Sequence, residues 1–223
     1  MKYIEKGNEP APLRDYRNTT PNATYKGFGD TGQLLKKALL EEQGNICAYC
    51  MRRISLKWNE AIKKTCIEVG HYTPQKVDIN KSLIYRTMLG VCNGDFGDRE
   101  HCDKSQKDNC LKILDPLNRD CERRLTYTED GRIKAAVNNV NVVHDINLLN
   151  LNDRNLVNAR KKVIDLALTA MIDKYPKKQW TKELIQAEID FWTERDRKRQ
   201  FRPFCQIAIW FWEKQKQSNR YPT

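Results

Sequence analysis

Long apolar runs are missing from this sequence. No stretch approaches the roughly 20 apolar residues that span a bilayer, so a transmembrane helix is not expected. The opening MKYIEKGNEPAPL is charged and carries proline. It lacks the apolar core of a secretory signal, which points to a soluble, cytoplasmic protein. There is no internal repeat and no low-complexity tract. Histidine is scarce, with three in 223 residues. Each histidine therefore carries more weight as a candidate for chemistry.

Cysteine and positive charge are plentiful. Eight cysteines in an intracellular chain of this size read as reduced thiols or metal ligands rather than disulfides. The formal charge of +11 gives a positive field that attracts polyanions, nucleic acid before an anionic membrane.

Along the chain, residues 1–30 are rich in Pro, Asn, Thr and Gly and read as extended or irregular. Residues 31–43 read as a helix. Thr31 is its N-cap, Leu34, Leu35, Ala38 and Leu39 share a face, and Gly44 ends it. Residues 45–110 hold six cysteines, two histidines and short apolar runs, the texture of a metal-nucleated module. LTYTEDGRIK at 125–134 reads as a hairpin turning at Asp-Gly. From 145 onward the pattern is helical, with Asn152 or Asp153 as a cap. A second helix is expected over 181–199, started by Thr181, and a last apolar helix follows Pro203. The fold class is α+β. It divides into an N-terminal segment and helix (1–44), a mixed core (45–140) and a helical C-terminal region (141–223).

Cys47-Ala-Tyr-Cys50 is a knuckle that aims two sulfurs at one ion, half of a tetrahedral zinc site. Cys92 and Cys102 are candidates for the other half, and Cys110 or His101 could replace one of them. Four protein ligands leave no place for water, so such a zinc is structural. The bland reading of the pair is buried or redox-active thiols. Cys66, Cys121 and Cys205 stand apart and read as buried apolar residues. His71 lies in TCIEVGHYTP, at the end of a short strand that Pro74 stops. An ordinary imidazole there could deprotonate water, ligate the zinc, or serve only as structure. His144 reads as packing where a helix begins. RDRKRQFR at 195–202 offers Arg197, Lys198 and Arg199 to phosphates, or is a solvated helix face. Trp210, Phe211 and Trp212 read as core or interface.

In order, CAYC, IEVGHYTPQ, IYRTMLGVCNG and HCDKS resemble the HNH endonucleases of Septu-type and retron-associated antiphage systems. The resemblance runs over nearly the whole chain. It includes the opening segment and DINLLNLN near 145–152. It implies a zinc-stabilised ββα-metal core in which a hairpin and a helix clasp a divalent ion, Mg²⁺ or Mn²⁺. It makes His71 the general base and Asp103 the helical metal ligand. Lys104 and Lys107 would hold the flanking phosphates. The implied partners are nucleic acid and an SMC- or ABC-like ATPase subunit, with a retron reverse transcriptase and its DNA as a further candidate.

Two positions depart from the family pattern. Gly70 stands where an acidic ligand is expected. Glu68 is the nearest carboxylate, and it serves only if the strand bulges. Thr87 stands where an asparagine would orient the histidine, with Asn93 and Asn80 as substitutes. The rival reading is a zinc-stabilised nucleic-acid- or ATPase-binding subunit without hydrolysis. A third is a toxin-like nuclease acting on RNA.

Overall fold

A computed structural model describes residues 1–30, 33–60, 63–94, 99–175 and 180–218. In chain order the elements are α1 (Ala11–Thr19), α2 (Leu34–Glu42), β1 (Trp58–Asn59), β2 (Lys64–Thr65), β3 (Glu68–His71), β4 (Met88–Val91), α3 (Asp103–Gln106), β5 (Leu125–Tyr127), β6 (Ile133–Ala135), α4 (Val140–Leu148), α5 (Arg154–Lys174), α6 (Lys182–Thr193) and α7 (Cys205–Gln217). Among the described residues the strands form three antiparallel ribbons, β1–β2, β3–β4 and β5–β6. The protein is mixed α+β.

The first 30 residues are more ordered than their composition suggests. Pro10 precedes α1 and Pro12 sits in its first turn, where a missing N–H costs no intrahelical bond. Leu13 turns into the core. Arg17 pairs with Glu9 and donates to the Leu83 carbonyl at 2.9 Å, which ties α1 to the segment before β4. A short 3₁₀ turn, Tyr25–Gly27, follows.

Helix α2 starts later than the sequence suggested, and Thr31 lies outside the described residues. The Asp30 carboxylate caps it from upstream, accepting from Leu35 and Lys36 N–H at 2.9 and 3.2 Å. Leu35 and Leu39 are buried, whereas Leu34 stays exposed at the rim of that face. Gly44 takes a positive φ as the helix ends.

Two apolar clusters hold these elements. The smaller joins Leu13, Leu35, Leu39, Leu83, Tyr85 and Met88. The larger begins at Met1 and Ile4, includes Ile54, Ile67 and Leu89, and continues into the helices as far as Trp212. The beginning, middle and end of the chain therefore share one core.

The β5–β6 hairpin forms as read, and Asp130-Gly131 lies in its turn. Helix α4 begins at Val140 with Asn139 as its cap, ahead of the expected residue 145. Asp153 caps α5, accepting from Asn155 N–H at 2.9 Å.

The helix expected over 181–199 stops at Thr193. Asp196 explains this, because its carboxylate accepts from Lys198 and Gln200 N–H at 2.9 and 2.8 Å and folds the chain into an Asx-type turn. Arg195 donates to the Glu41 and Glu42 carbonyls at 2.7 and 2.6 Å, closing the C-terminus of α2. Arg202 reaches the Phe191 and Glu194 carbonyls. Trp212 and Phe211 are buried in α7, and Trp212 meets Trp180 edge-on at 5.7 Å. Among the described residues no helix is long and apolar enough to cross a membrane.

Candidate metal centre and the adjoining strand pair

Four buried thiols converge. Cys47, Cys50, Cys92 and Cys102 place their sulfurs within 4.8 Å of one another. The Cys47–Cys102 and Cys50–Cys92 separations are 3.9 and 3.7 Å. A tetrahedron with Zn–S bonds of about 2.3 Å has sulfur–sulfur edges of about 3.8 Å, so the spacing suits zinc without rearrangement.

Local backbone geometry builds the cluster. The Cys47–Cys50 knuckle closes with Met51 N–H on the Cys47 carbonyl at 3.0 Å, and Ala48 N–H anchors it to Gly90 of β4 at 3.1 Å. Cys92 follows the last residue of β4. Gly94 turns with a φ of +67°, and a Cβ there would lie 2.5 Å from the His101 carbonyl, so only glycine lets the loop fold back this tightly. Cys102 then precedes α3, its N–H bonded to the Leu149 carbonyl at 2.8 Å.

Of the alternative fourth ligands, Cys110 is exposed and outside the group. His101 is a neighbour, with Nδ1 3.2 Å from Cys102 Sγ. Burial alone would raise the Cys47 thiol, but hydrogen bonds from Cys102, Cys50 and Cys92 outweigh it and hold the group well below its ordinary value. This chemistry favours loss of a thiol proton to an ion. Of the three cysteines read as apolar, Cys121 and Cys205 are buried and Cys66 is half-buried.

Arg160 of α5, also fully buried, donates to the Gly131 and Leu151 carbonyls at 2.6 and 2.7 Å. Burial pulls its guanidinium down to about 10, against the attraction of Tyr127, Cys50, Cys102 and Asp153.

Strand β3 pairs with β4 residue for residue, from Glu68 opposite Val91 to His71 opposite Met88. The bulge that would have turned Glu68 toward His71 is not there. Simple alternation sends Glu68 and Gly70 to one face and Val69 and His71 to the other.

Asp103, the first residue of α3, lies on the Gly70 side. A Cβ at Gly70 would sit 2.8 Å from its Oδ1 and 2.9 Å from Val91 Cγ1. The glycine that breaks the acidic pattern is thus the gap that Asp103 fills. Burial, followed by the charges of Cys47 and Glu68, pushes the Asp103 carboxyl up to about 7. Lys64 Nζ donates to Glu68 Oε1 at 2.6 Å. Glu68 therefore shares the Gly70 face with Asp103 but is engaged by Lys64.

On the other face His71 is buried at 6% exposure. Its Nε2 lies 3.0 Å from the Ser82 carbonyl. A carbonyl only accepts, so Nε2 carries the proton and the lone pair belongs to Nδ1. The Gln75 amide covers Nδ1 at 3.2 Å. Burial holds the imidazole below its ordinary value, against the Ser82 bond, so it is neutral at pH 7. Tyr25 packs edge-on to the ring, 4.7 Å between centroids. Burial, then the charges of Asp30, Glu68 and Asp103, raises its phenol to about 12. Tyr25 therefore touches His71 while lying in the field of the carboxylates.

Several sequence expectations resolve differently. Thr87 does not orient His71, because its hydroxyl donates to the Ile84 carbonyl at 3.0 Å. Asn93 faces Thr65, donating to its carbonyl at 3.0 Å, and the Asn80 side chain lies outside the described residues. The orienting contact is the Ser82 main chain, which no side-chain pattern announces. Tyr25 and Gln75 were also missed. Gln75 stands four residues after His71 and was the more discoverable of the two.

His144 sits within α4, with Nδ1 3.0 Å from Asp145. Lys104 lies on α3, and the exposed Lys107 follows it 3.7 Å from Glu100. Arg197, Lys198 and Arg199 form an exposed loop, not a helix face. No family model matches this chain, and no curated protein matches it.

Proposed function

We propose that this protein is a metal-dependent endonuclease of the HNH (ββα-metal) type, with a structural zinc on Cys47, Cys50, Cys92 and Cys102. The observation that carries the reading is the order β3–β4–zinc loop–α3, which seats Asp103 against Gly70, one residue from His71. Neutral His71 would accept a proton from the attacking water at Nδ1, once the Gln75 amide swings aside. As the water oxygen bonds to phosphorus, the bond to the leaving oxygen breaks, and that oxygen takes a proton from solvent. Asp103 would hold Mg²⁺ or Mn²⁺, which would neutralise the charge that develops on the phosphate, whereas Glu68, with no bulge to turn it toward His71 and paired with Lys64, is left out of the ion's ligands. The excess positive charge favours a nucleic-acid substrate.

The sequence resemblance extends the proposal. It makes the chain a cytoplasmic effector of antiphage defence, restrained by an SMC- or ABC-like ATPase subunit. Cleavage of plasmid DNA and of RNA by the purified protein, with and without Mg²⁺ or Mn²⁺, tests the activity. Metal-dependent cutting that His71→Ala removes is the expected result. Equal cutting by that variant would overturn it.

Two features favour a second reading, a binding subunit without hydrolysis. His71 points to the face of β3 opposite the one against which Asp103 lies, and Thr87 is turned away. Absence of cleavage together with tight nucleic-acid binding would select this reading.

A further inference from the structure

An open groove of about 820 Å³ is lined by the segment before Cys102, the β5–β6 turn and the start of α5. Three separate parts of the chain each bring one arginine to it. Arg99 comes from the segment before Cys102, Arg132 from the β5–β6 turn and Arg154 from the first turn of α5. All three are exposed.

Asparagines fix the walls. Asn152 Oδ1 accepts from Ile133 N–H and its Nδ2 donates to the Ile133 carbonyl, both at 2.9 Å, which locks the start of α5 to β6. Asn150 donates to the Glu100 carbonyl at 2.8 Å, which locks the same segment to the zinc loop. The negative charge within the groove is restrained, because the buried Asp153 carboxylate is committed to capping α5. The Arg132–Asp130 pair, at 3.4 Å with both side chains more than half exposed, is solvated and weak. Among the described residues neither Arg99 nor Arg154 has an ion-pair partner.

We propose that this groove is a phosphodiester-backbone site, in which Arg99, Arg132 and Arg154 each take one phosphate of a nucleic acid. The identity of the polymer rests on the nuclease reading, whereas the site rests on its own geometry. Arginine forks, asparagine amides and helix-terminal N–H groups are the groups that grip phosphate and sugar without reading bases. The groove also lies within reach of the strand pair. Arg99 is four residues from Asp103, so their Cα atoms are at most about 14 Å apart. One strand rises about 3.4 Å per nucleotide, so a backbone held at Asp103 reaches Arg99 within about four nucleotides.

The test is fluorescence anisotropy with a labelled 24-base-pair DNA duplex and an RNA duplex of the same sequence, without added Mg²⁺, from about 50 to 200 mM salt. Arg99→Ala/Arg132→Ala/Arg154→Ala should flatten the slope of log affinity against log salt by about 2.7, about 0.9 for each phosphate no longer neutralised. Arg197→Ala/Lys198→Ala/Arg199→Ala removes the same charge elsewhere and should flatten it less. The triple lysine replacement keeps the point charges and should keep most of the slope, which separates charge loss from misfolding.

An unchanged slope, equal effects of the two alanine triples, or no binding of either duplex by the wild type would overturn the groove. Binding that behaves as stated, from a protein that cuts nothing, would count against the nuclease reading alone. Which duplex binds more tightly at the same salt decides between DNA and RNA.

Discussion

Replacing one cluster cysteine, Cys50→Ser, exposes what the metal is worth. Cys50 is fully buried, with its sulfur 3.7 Å from Cys92. A structural zinc contributes about 10–16 kcal/mol to the folding of small zinc domains. An even share for one of four ligands is roughly 2.5–4 kcal/mol, against a total domain stability of about 5–15 kcal/mol. In a chain of this size each kcal/mol moves the melting midpoint by about 2–4 °C, so the variant should melt roughly 5–16 °C lower. Its zinc content should fall well below one ion per chain.

The control is Cys110→Ser, because Cys110 is exposed and outside the cluster. That variant should keep both its zinc and its melting point. Elemental analysis and a thermal melt on the three proteins make the comparison. A wild-type protein purified without metal, or a Cys50 variant that melts with the wild type, would refute the reasoning.

His71→Ala should lower cleavage by about 10²–10⁴-fold with the fold and zinc retained, as steady-state rates and metal content will show. Burial holds His71 below its ordinary value, so the acid limb of the pH–rate profile should have its midpoint below about 6.5, and a midpoint above 7 would contradict the assignment. The sign for stability is the same, because the unfolded chain takes up this proton first, so the folded state loses ground as pH falls through about 6.5. Gly70→Ala would drive a methyl into Asp103 and Val91 and should cost about 1–3 kcal/mol in urea denaturation, whereas equal midpoints would show that the gap has room to spare. Asp145 accepts N–H bonds from Lys112, Ile113 and Leu114 at 2.8–3.0 Å, so Asp145→Asn should cost about 1.5–3 kcal/mol. Burial would raise that carboxyl, but the N–H bonds outweigh it and hold it low, so the stability it brings is present above about 3.9 and is lost in acid-titration melts as pH falls through the folded value.

What could be read from the sequence follows the range of the interactions involved. Cys47 and Cys50 announce themselves because a two-residue spacing is local. Cys92 and Cys102 could be named because few other thiols compete for the same ion. The cap at Asp153 and the turn at Asp130-Gly131 are local as well. Helix α1 was hidden because prolines in its first turn read as breakers when only the sequence is in view. The turn after α6 was hidden although Asp196 carried its signal, because the run of basic residues around it suggested a helix face. Tyr25 and Ser82 could not be found at all. One lies 46 residues before the histidine it touches, and the other acts through a carbonyl that every residue possesses. The separation of His71 from Glu68 was foreseeable from strand alternation, and the one-to-one pairing of β3 with β4 leaves that alternation undisturbed.

Arg160 gives the thiol cluster a distant correspondent. Its charge is set among Cys50 and Cys102, while its nitrogens fasten α5 to the carbonyls of Gly131 and Leu151. With an ion in the cluster, its occupancy and the seating of α5 would be linked equilibria, and such linkage is reciprocal. Whatever loosened α5 would then loosen the ion by the same factor, and drawing out the ion would leave the Arg160 cation with less opposing charge. A chelator would thus act on residues 154–174 without touching them, and a ligand clasping that helix would slow the departure of the metal.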